Sequence, residues 1–261
     1  MAELHMANIK VGVLGAGGRM GSTVCQAVIN DPMTSLECAV DQDATGNTID
    51  NCSLEIVSDL STIVDVDVVV DFTIADASRN HLPILAERGI NVVVGTSGLE
   101  ESDIDNLKAC FTSSSCLIVP NFSISAVLMM RAAQMAAPYF DTIEILEYHH
   151  NKKIDAPSGT AIATAEKLQA AVQDLHLDPT EKVVLDGARG AKGKTQIPIH
   201  SIRMEGMLAH QEILMGTSGQ TLTIRQDSYD RSSFMPGVLL AIKKISGTSG
   251  VTVGLESILD V

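Results

Sequence analysis

Lys10-Val11-Gly12-Val13-Leu14-Gly15-Ala16-Gly17-Gly18-Arg19-Met20-Gly21 is the stretch whose reading decides the fold. An apolar run leads straight into glycines, and a helix-length segment follows to about Ile29. The spacing GxGxxG does not fit, because Met20 occupies its last position; GxxGxxG fits at Gly15, Gly18 and Gly21. Glycines there let the backbone turn tightly and approach a pyrophosphate, whose charge the following helix N-terminus favours. Gly15, Ala16, Gly17, Gly18, Arg19 and Met20 are therefore expected to contact a cofactor. The alternative is a glycine-rich turn without a ligand, and the strand-turn-helix setting speaks against it.

Outward from this turn, short apolar runs alternate with helix-length segments. Strands are expected at Leu36–Val40, Val66–Phe72, Asn91–Gly95 and Cys116–Val119, with helices over about Ala75–Arg88 and Glu101–Cys110. Strands apolar throughout and separated by helices imply a parallel sheet covered on both faces. The expected fold is α/β: a doubly wound parallel, Rossmann-like sheet with ligands at the carboxyl ends of its strands. After Pro120 the pattern changes. Helices are expected over Ala126–Ala137 and about Gly159–Leu175, with strands at Thr142–Tyr148, His200–Met204, Gln211–Met215 and Thr221–Arg225. Strands without intervening helices point to a second α+β domain with an open mixed or antiparallel sheet. An apolar helix over Pro236–Ile245 is expected to pack back on the first domain, so residues 1–124 are completed by 232–261, and 125–231 form the second domain.

Asp41 closes the second strand about twenty residues after the turn, where an acid can accept hydrogen bonds from ribose hydroxyls. An ordinary strand-end carboxylate is the bland alternative. The next residue is Gln42 and not arginine, so NADH is expected over NADPH, although Arg19 or Lys10 could serve a 2′-phosphate. Gly95-Thr96-Ser97 and Pro120-Asn121-Phe122-Ser123 follow two further strands, and Asp71-Phe72-Thr73 closes the third. These are turn residues on the bland reading. On the functional one they hold the nicotinamide ribose and carboxamide.

The formal net charge is −14, which argues against a broad nucleic-acid role, since phosphate binding needs a basic surface. No apolar run approaches a membrane span. The opening residues MAELHMANIK have no apolar core, so no signal sequence is read there and a cytoplasmic location is expected. Cys25, Cys38, Cys52, Cys110 and Cys116 show no CxxC spacing, so buried or idle thiols in a reducing compartment are expected, with no metal site.

The densest chemistry lies in Glu147-Tyr148-His149-His150-Asn151-Lys152-Lys153-Ile154-Asp155-Ala156-Pro157-Ser158-Gly159-Thr160-Ala161. Two histidines and two lysines in an acidic chain make a local cationic patch suited to a small dianion. Ser158-Gly159-Thr160 opens a helix, placing free N–H groups and a hydroxyl where a carboxylate can bind. Taken singly, each feature reads as bland: paired histidines as core or surface, paired lysines as a solvated face, Ser-Gly-Thr as an N-cap. Together, between a strand end and a helix start, they mark a site.

E-x-H-H-x-x-K-x-D-A-P-S-G-T-A resembles the signature of the 4-hydroxy-tetrahydrodipicolinate reductase family, which performs the hydride-transfer step of the diaminopimelate route to lysine. The resemblance runs on through GAGGRMG, DFT, GTSG, PNFS and IPIHSIR (Ile197–Arg203), with Gly206 and His210, over nearly the whole chain. It implies that His149 is the general acid/base, that Lys153 donates a proton, and that His150, Gly159 and Thr160 bind the carboxylates of a cyclic dicarboxylate. It also implies an NAD(P)H cofactor, closure about Asn121–Ser125 and Tyr229–Phe234, and a homotetramer built through the second domain's sheet. Two positions depart from the family pattern: Ser125 stands where glycine is common, and Gln226 where histidine is frequent. Another two-domain NAD(P)-dependent dehydrogenase, acting on an amino acid such as aspartate, shares the first domain but leaves the Ser-Gly-Thr clamp unexplained. A non-catalytic NAD(P) sensor would need only the glycine turn.

Overall fold

The computed structural model describes residues 8–176 and 178–259; most of the opening segment, in which no signal sequence is read, lies outside them. The described residues form two compact units. One runs to Phe122 and resumes at Phe234, and the other spans Ser123–Ser233.

In the first unit β1 (Ile9–Leu14) runs into the glycine turn and α1 (Arg19–Asn30). β2 (Thr34–Val40), β3 (Val68–Asp71), α2 (Ala75–Glu87), β4 (Asn91–Val94), α3 (Glu101–Cys110) and β5 (Ser115–Ile118) follow. α6 (Met235–Lys244) and β10 (Gly250–Val253) complete it after the chain returns. The sheet order is β10-β5-β4-β3-β1-β2, with every pairing parallel. β3 and β5 are buried at all four positions, as strands covered on both faces must be, their apolar runs broken only by Asp71 and Ser115. The chain passes to opposite sides of β1 to make β2 and β3, so a crevice opens at the carboxyl ends of these strands. α6 packs against α1 and β1, and its Gly237 is obligatory: a Cβ there would sit 2.1 Å from the Phe122 carbonyl oxygen. β10 was not foreseen. Its four residues lie between Gly247 and Gly254 in a stretch that reads as loop, and only pairing with β5 makes it a strand.

The second unit contains α4 (Ile124–Ala136), β6 (Thr142–His149), α5 (Gly159–Ala171), β7 (Ile199–Arg203), β8 (Ala209–Thr217) and β9 (Gln220–Ser228). Its mixed sheet has the order β7-β6-β8-β9: β7 is parallel to β6, and β8 is antiparallel to both β6 and β9. α5 stops at Ala171, four residues short of the sequence expectation. Val172 is extended, and the His176 amide donates to the Asp141 carbonyl at 2.8 Å, tying this segment to the start of β6 instead of continuing the helix. Along β6 the buried face carries Ile143, Ile145 and then Glu147, opposite Met215, Ile213 and Gln211 of β8. The period of two thus places a carboxylate in the apolar row. Among the described residues no helix is long and apolar enough to cross a membrane.

Candidate functional site

In the first unit a cleft of about 470 Å³ opens where the fold requires it, with Leu14, Gly15, Gly18, Asp41, Gln42 and Phe72 in its lining. Gly15 has φ +76°, and a Cβ there would lie 2.5 Å from the Phe72 carbonyl oxygen. A Cβ on Gly21 would come within 1.9 Å of the Gly15 oxygen, and one on Gly17 within 2.2 Å of the Ala44 side chain. Glycine is therefore forced by main-chain atoms at Gly15 and Gly21 and by the Ala44 methyl at Gly17, and the turn leaves Gly18 to begin α1 without a side-chain cap. This leaves the first amides of α1 to an anion. Asp41 accepts from the Gly17 amide at 3.0 Å and from the Asp43 amide at 2.9 Å, which fixes its carboxylate at the rim of the cleft. Of the two basic residues open to a 2′-phosphate, Lys10 is engaged with Asp65 at the opposite end of β1, while Arg19 stands at the turn itself.

The other strand-end loops are held by one buried carboxylate. Asp71 accepts from the Thr73 amide (2.9 Å), the Thr73 hydroxyl (2.7 Å), the Ser78 hydroxyl (2.7 Å) and the Thr96 hydroxyl (3.1 Å). It thereby joins the end of β3, the start of α2 and the Gly95-Thr96-Ser97 loop. The Phe72 and Phe122 rings pack 5.5 Å apart across Gly95, where a Cβ would meet Phe72 at 2.3 Å. Pro120, Asn121 and Phe122 belong to this unit; Ser123 belongs to the other, where its hydroxyl caps α4 by accepting from the Ala126 amide.

The second cluster surrounds the carboxyl end of β6. Glu147 has no exposed surface. Its Oε2 lies 2.5 Å from His149 Nδ1 and accepts from Arg203 Nη1 at 2.9 Å. Its Oε1 accepts from Arg203 Nη2 at 2.9 Å and from the Ser158 amide at 3.2 Å. Burial pushes this carboxyl upward, but hydrogen bonds from His149, Arg203 and Ser201 outweigh it and hold it at about 2. Arg203 Nη2 also donates to the Asp155 carbonyl at 2.8 Å, and the Asp155 carboxylate receives Lys153 Nζ at 2.8 and 2.7 Å. The side chain of Lys153 is 21% exposed. A turn closed by the Lys153 amide on the His150 carbonyl sets His150 and Lys153 side by side in the connection between β6 and α5. Ser158 supplies the N-cap of α5, its hydroxyl accepting from the Ala161 amide at 3.2 Å. Gly159 and Thr160 therefore form the first turn, and a Cβ on Gly159 would meet nothing within 4 Å.

The structure thus gathers His149, Lys153, Gly159 and Thr160 around one strand end and leaves the glycine turn and Asp41 in the first unit. Sequence reasoning gave no role to Glu147, Arg203 or Asp155. The signal for Glu147 was a carboxylate at a core-facing position of an alternating strand. The two departures from the family pattern touch each other: the Ser125 hydroxyl lies 3.3 Å from Gln226 Oε1.

Comparison with known proteins places both units. Residues 9–122 match the family described as dihydrodipicolinate reductase, N-terminus, and residues 125–259 match its C-terminus. The 4-hydroxy-tetrahydrodipicolinate reductase of Corynebacterium urealyticum is 42% identical, over 96% of this chain and 98% of its own length. That of Corynebacterium efficiens is 46% identical, over 97% and 99%. A solved structure described as dipicolinate-bound dihydrodipicolinate reductase from Paenisporosarcina sp. TG-14 is 35% identical, with a TM-score of 0.85 and coverage of 97% and 100%.

Proposed function

The chain belongs to the dihydrodipicolinate reductase family, and on that premise we propose that it reduces 4-hydroxy-tetrahydrodipicolinate to tetrahydrodipicolinate in the diaminopimelate route to lysine. The observation that carries this reading is the cluster at the end of β6, where Glu147 draws together His149, Arg203 and the Ser158 amide that begins α5. A dicarboxylate fits such a place: a cationic turn faces one carboxylate, and a helix N-terminus the other. The Paenisporosarcina relative is described as binding dipicolinate, a flat dianion with the same two groups.

The glycine turn suits a pyridine dinucleotide, because its backbone is packed too closely at Gly15, Gly17 and Gly21 for any side chain. When bound, the cofactor supplies the hydride. Asp41, already oriented by two amides, takes the ribose hydroxyls and disfavours a 2′-phosphate, so NADH is used at least as well as NADPH. Gly95, Thr96, Ser97, Pro120, Asn121, Phe122 and Ser123 complete the cofactor contacts. Gly159, Thr160 and His150 fix the substrate carboxylates, which sets the reacting carbons in place. After the ring loses its hydroxyl as water, Lys153 Nζ, steadied by Asp155, gives a proton to the enamine carbon next to the one that accepts hydride, and His149 assists. The enzyme is read as a cytoplasmic homotetramer assembled through the second unit's sheet, with domains at 1–124 plus 232–261 and at 125–231; the family resemblance supports this.

The test is NADH oxidation in the presence of the cyclic substrate, made in situ from pyruvate and aspartate semialdehyde. The expected trace falls with substrate, and pyridine-2,6-dicarboxylate inhibits it competitively. A flat trace together with NAD-dependent oxidation of aspartate would replace this reading with the amino-acid dehydrogenase.

A further inference from the structure

We infer that Glu147 is a positioning residue: it fixes the imidazole proton of His149 on Nδ1 and so reserves Nε2 for proton exchange with the substrate. The inference rests on the preceding reading of the site, and it assigns a role to a residue that does not touch substrate.

Glu147 follows Ile143 and Ile145 on the covered face of β6 and is fully buried. An ionised side chain left unpaired there would be strongly unfavourable, so its retention calls for partners. Every element packed against it supplies something. β7 gives the Arg203 guanidinium, bidentate at 2.9 Å to each oxygen. The start of α5 gives the Ser158 amide. β8 gives only the neutral Gln211, whose amide donates to the Thr164 hydroxyl of α5. His149 is the remaining neighbour, from β6 itself, with Nδ1 at 2.5 Å.

The bidentate guanidinium keeps Glu147 ionised throughout the working pH range, and an ionised carboxylate can only accept. At 2.5 Å from Nδ1 it therefore requires the ring proton on that nitrogen. In the neutral ring Nε2 is then the acceptor, and in the charged ring it is the donor. Arg203 could have saturated both oxygens as a simple strut. Instead Oε2 is shared between Arg203 and the one histidine that the site needs in a defined tautomer. A carboxylate behind a catalytic imidazole does the same work on unrelated folds.

The experiment is ¹⁵N imidazole NMR on the full-length enzyme, with the His149 signal assigned from His149→Ala. The expected wild-type signal is the Nδ1–H tautomer, and Glu147→Gln, which can donate as well as accept, should mix the two tautomers. kcat should fall by roughly 10- to 100-fold in Glu147→Gln while the KM for NADH stays within about twofold. In a His149→Ala background the same change should cost less than about threefold, because its target is gone. A wild-type proton on Nε2, or an equal loss in both backgrounds, would leave Glu147 a structural strut and overturn the inference. Should Glu147→Gln not fold, the wild-type tautomer alone decides. Inactivity of the wild type toward the cyclic substrate would refute the proposed function and leave the tautomer test intact.

Discussion

Two buried carboxylates organise the two units, and they are satisfied in opposite ways. Asp71 and Glu147 are both without exposed surface, and both stand at or near the carboxyl end of a strand. Asp71 accepts from three hydroxyls and an amide, all neutral, and binds the β3–α2 connection, α2 and the loop after β4 into one frame. Glu147 accepts from a guanidinium, an imidazole and an amide, and its network continues through Asp155 to the Lys153 ammonium. The first arrangement shapes a cleft by backbone geometry; the second joins ionisable side chains. On the proposed reading, the cofactor side should therefore fail when space is taken away, and the catalytic side when charge or a proton is taken away.

The sharpest break on the cofactor side is Gly21→Ala. The new Cβ would lie 1.9 Å from the main-chain oxygen of Gly15, which cannot swing aside as a side chain would. A loss of about 4 kcal/mol or more in unfolding free energy is expected, with NADH binding abolished, as read by thermal unfolding and NADH fluorescence. A soluble variant with normal NADH affinity would mean that the turn is slack. On the other side, Lys153→Ala takes away a charge and no frame. It should lower kcat by roughly 10²–10⁴ while leaving NADH affinity and melting temperature nearly unchanged. Near-normal turnover would reduce Lys153 to a solvated charge paired with Asp155.

Thr160→Val probes the helix N-terminus, where Ser158 and not Thr160 supplies the cap. Losing a hydrogen bond to a charged ligand costs about 1.5–3 kcal/mol. Inhibition by pyridine-2,6-dicarboxylate should therefore weaken by roughly 10- to 100-fold. An unchanged inhibition constant would remove Thr160 from the clamp. The smallest effect is expected for Asp41→Ala, which should narrow the preference for NADH over NADPH by up to about tenfold, the worth of one lost contact near 1.4 kcal/mol. A wild-type enzyme that already favours NADPH tenfold would contradict the reading of Asp41.

The comparison also explains what was legible in the sequence. The glycine turn could be read because its constraint is local: Gly15, Gly18 and Gly21 stand at a fixed spacing after the strand that ends in the buried run Val11–Leu14. His149, Lys153, Gly159 and Thr160 could be grouped from the sequence because they are neighbours in the chain. Glu147 and Arg203 are 56 residues apart in sequence, and their contact exists only once β7 lies parallel to β6. Asp71 was noted as a strand end, but its bond to Thr96 needs β3 and β4 aligned. β10 escaped because four residues between glycines carry no periodicity, and α5 was overextended because the contact of His176 with Asp141 is tertiary.

The central claim is that cofactor selection and proton delivery are built from separate sets of residues, one in each unit. A double-mutant cycle on Asp41→Ala and Lys153→Ala measures this directly, with kcat/KM for NADH and for NADPH as the readout. The account predicts that Asp41→Ala changes the NADH-to-NADPH ratio by the same factor, within about twofold, whether residue 153 is lysine or alanine, because the effects of independent sites add. A factor that disappears in the Lys153→Ala background, or shifts by more than about fivefold (a coupling near 1 kcal/mol), would contradict it.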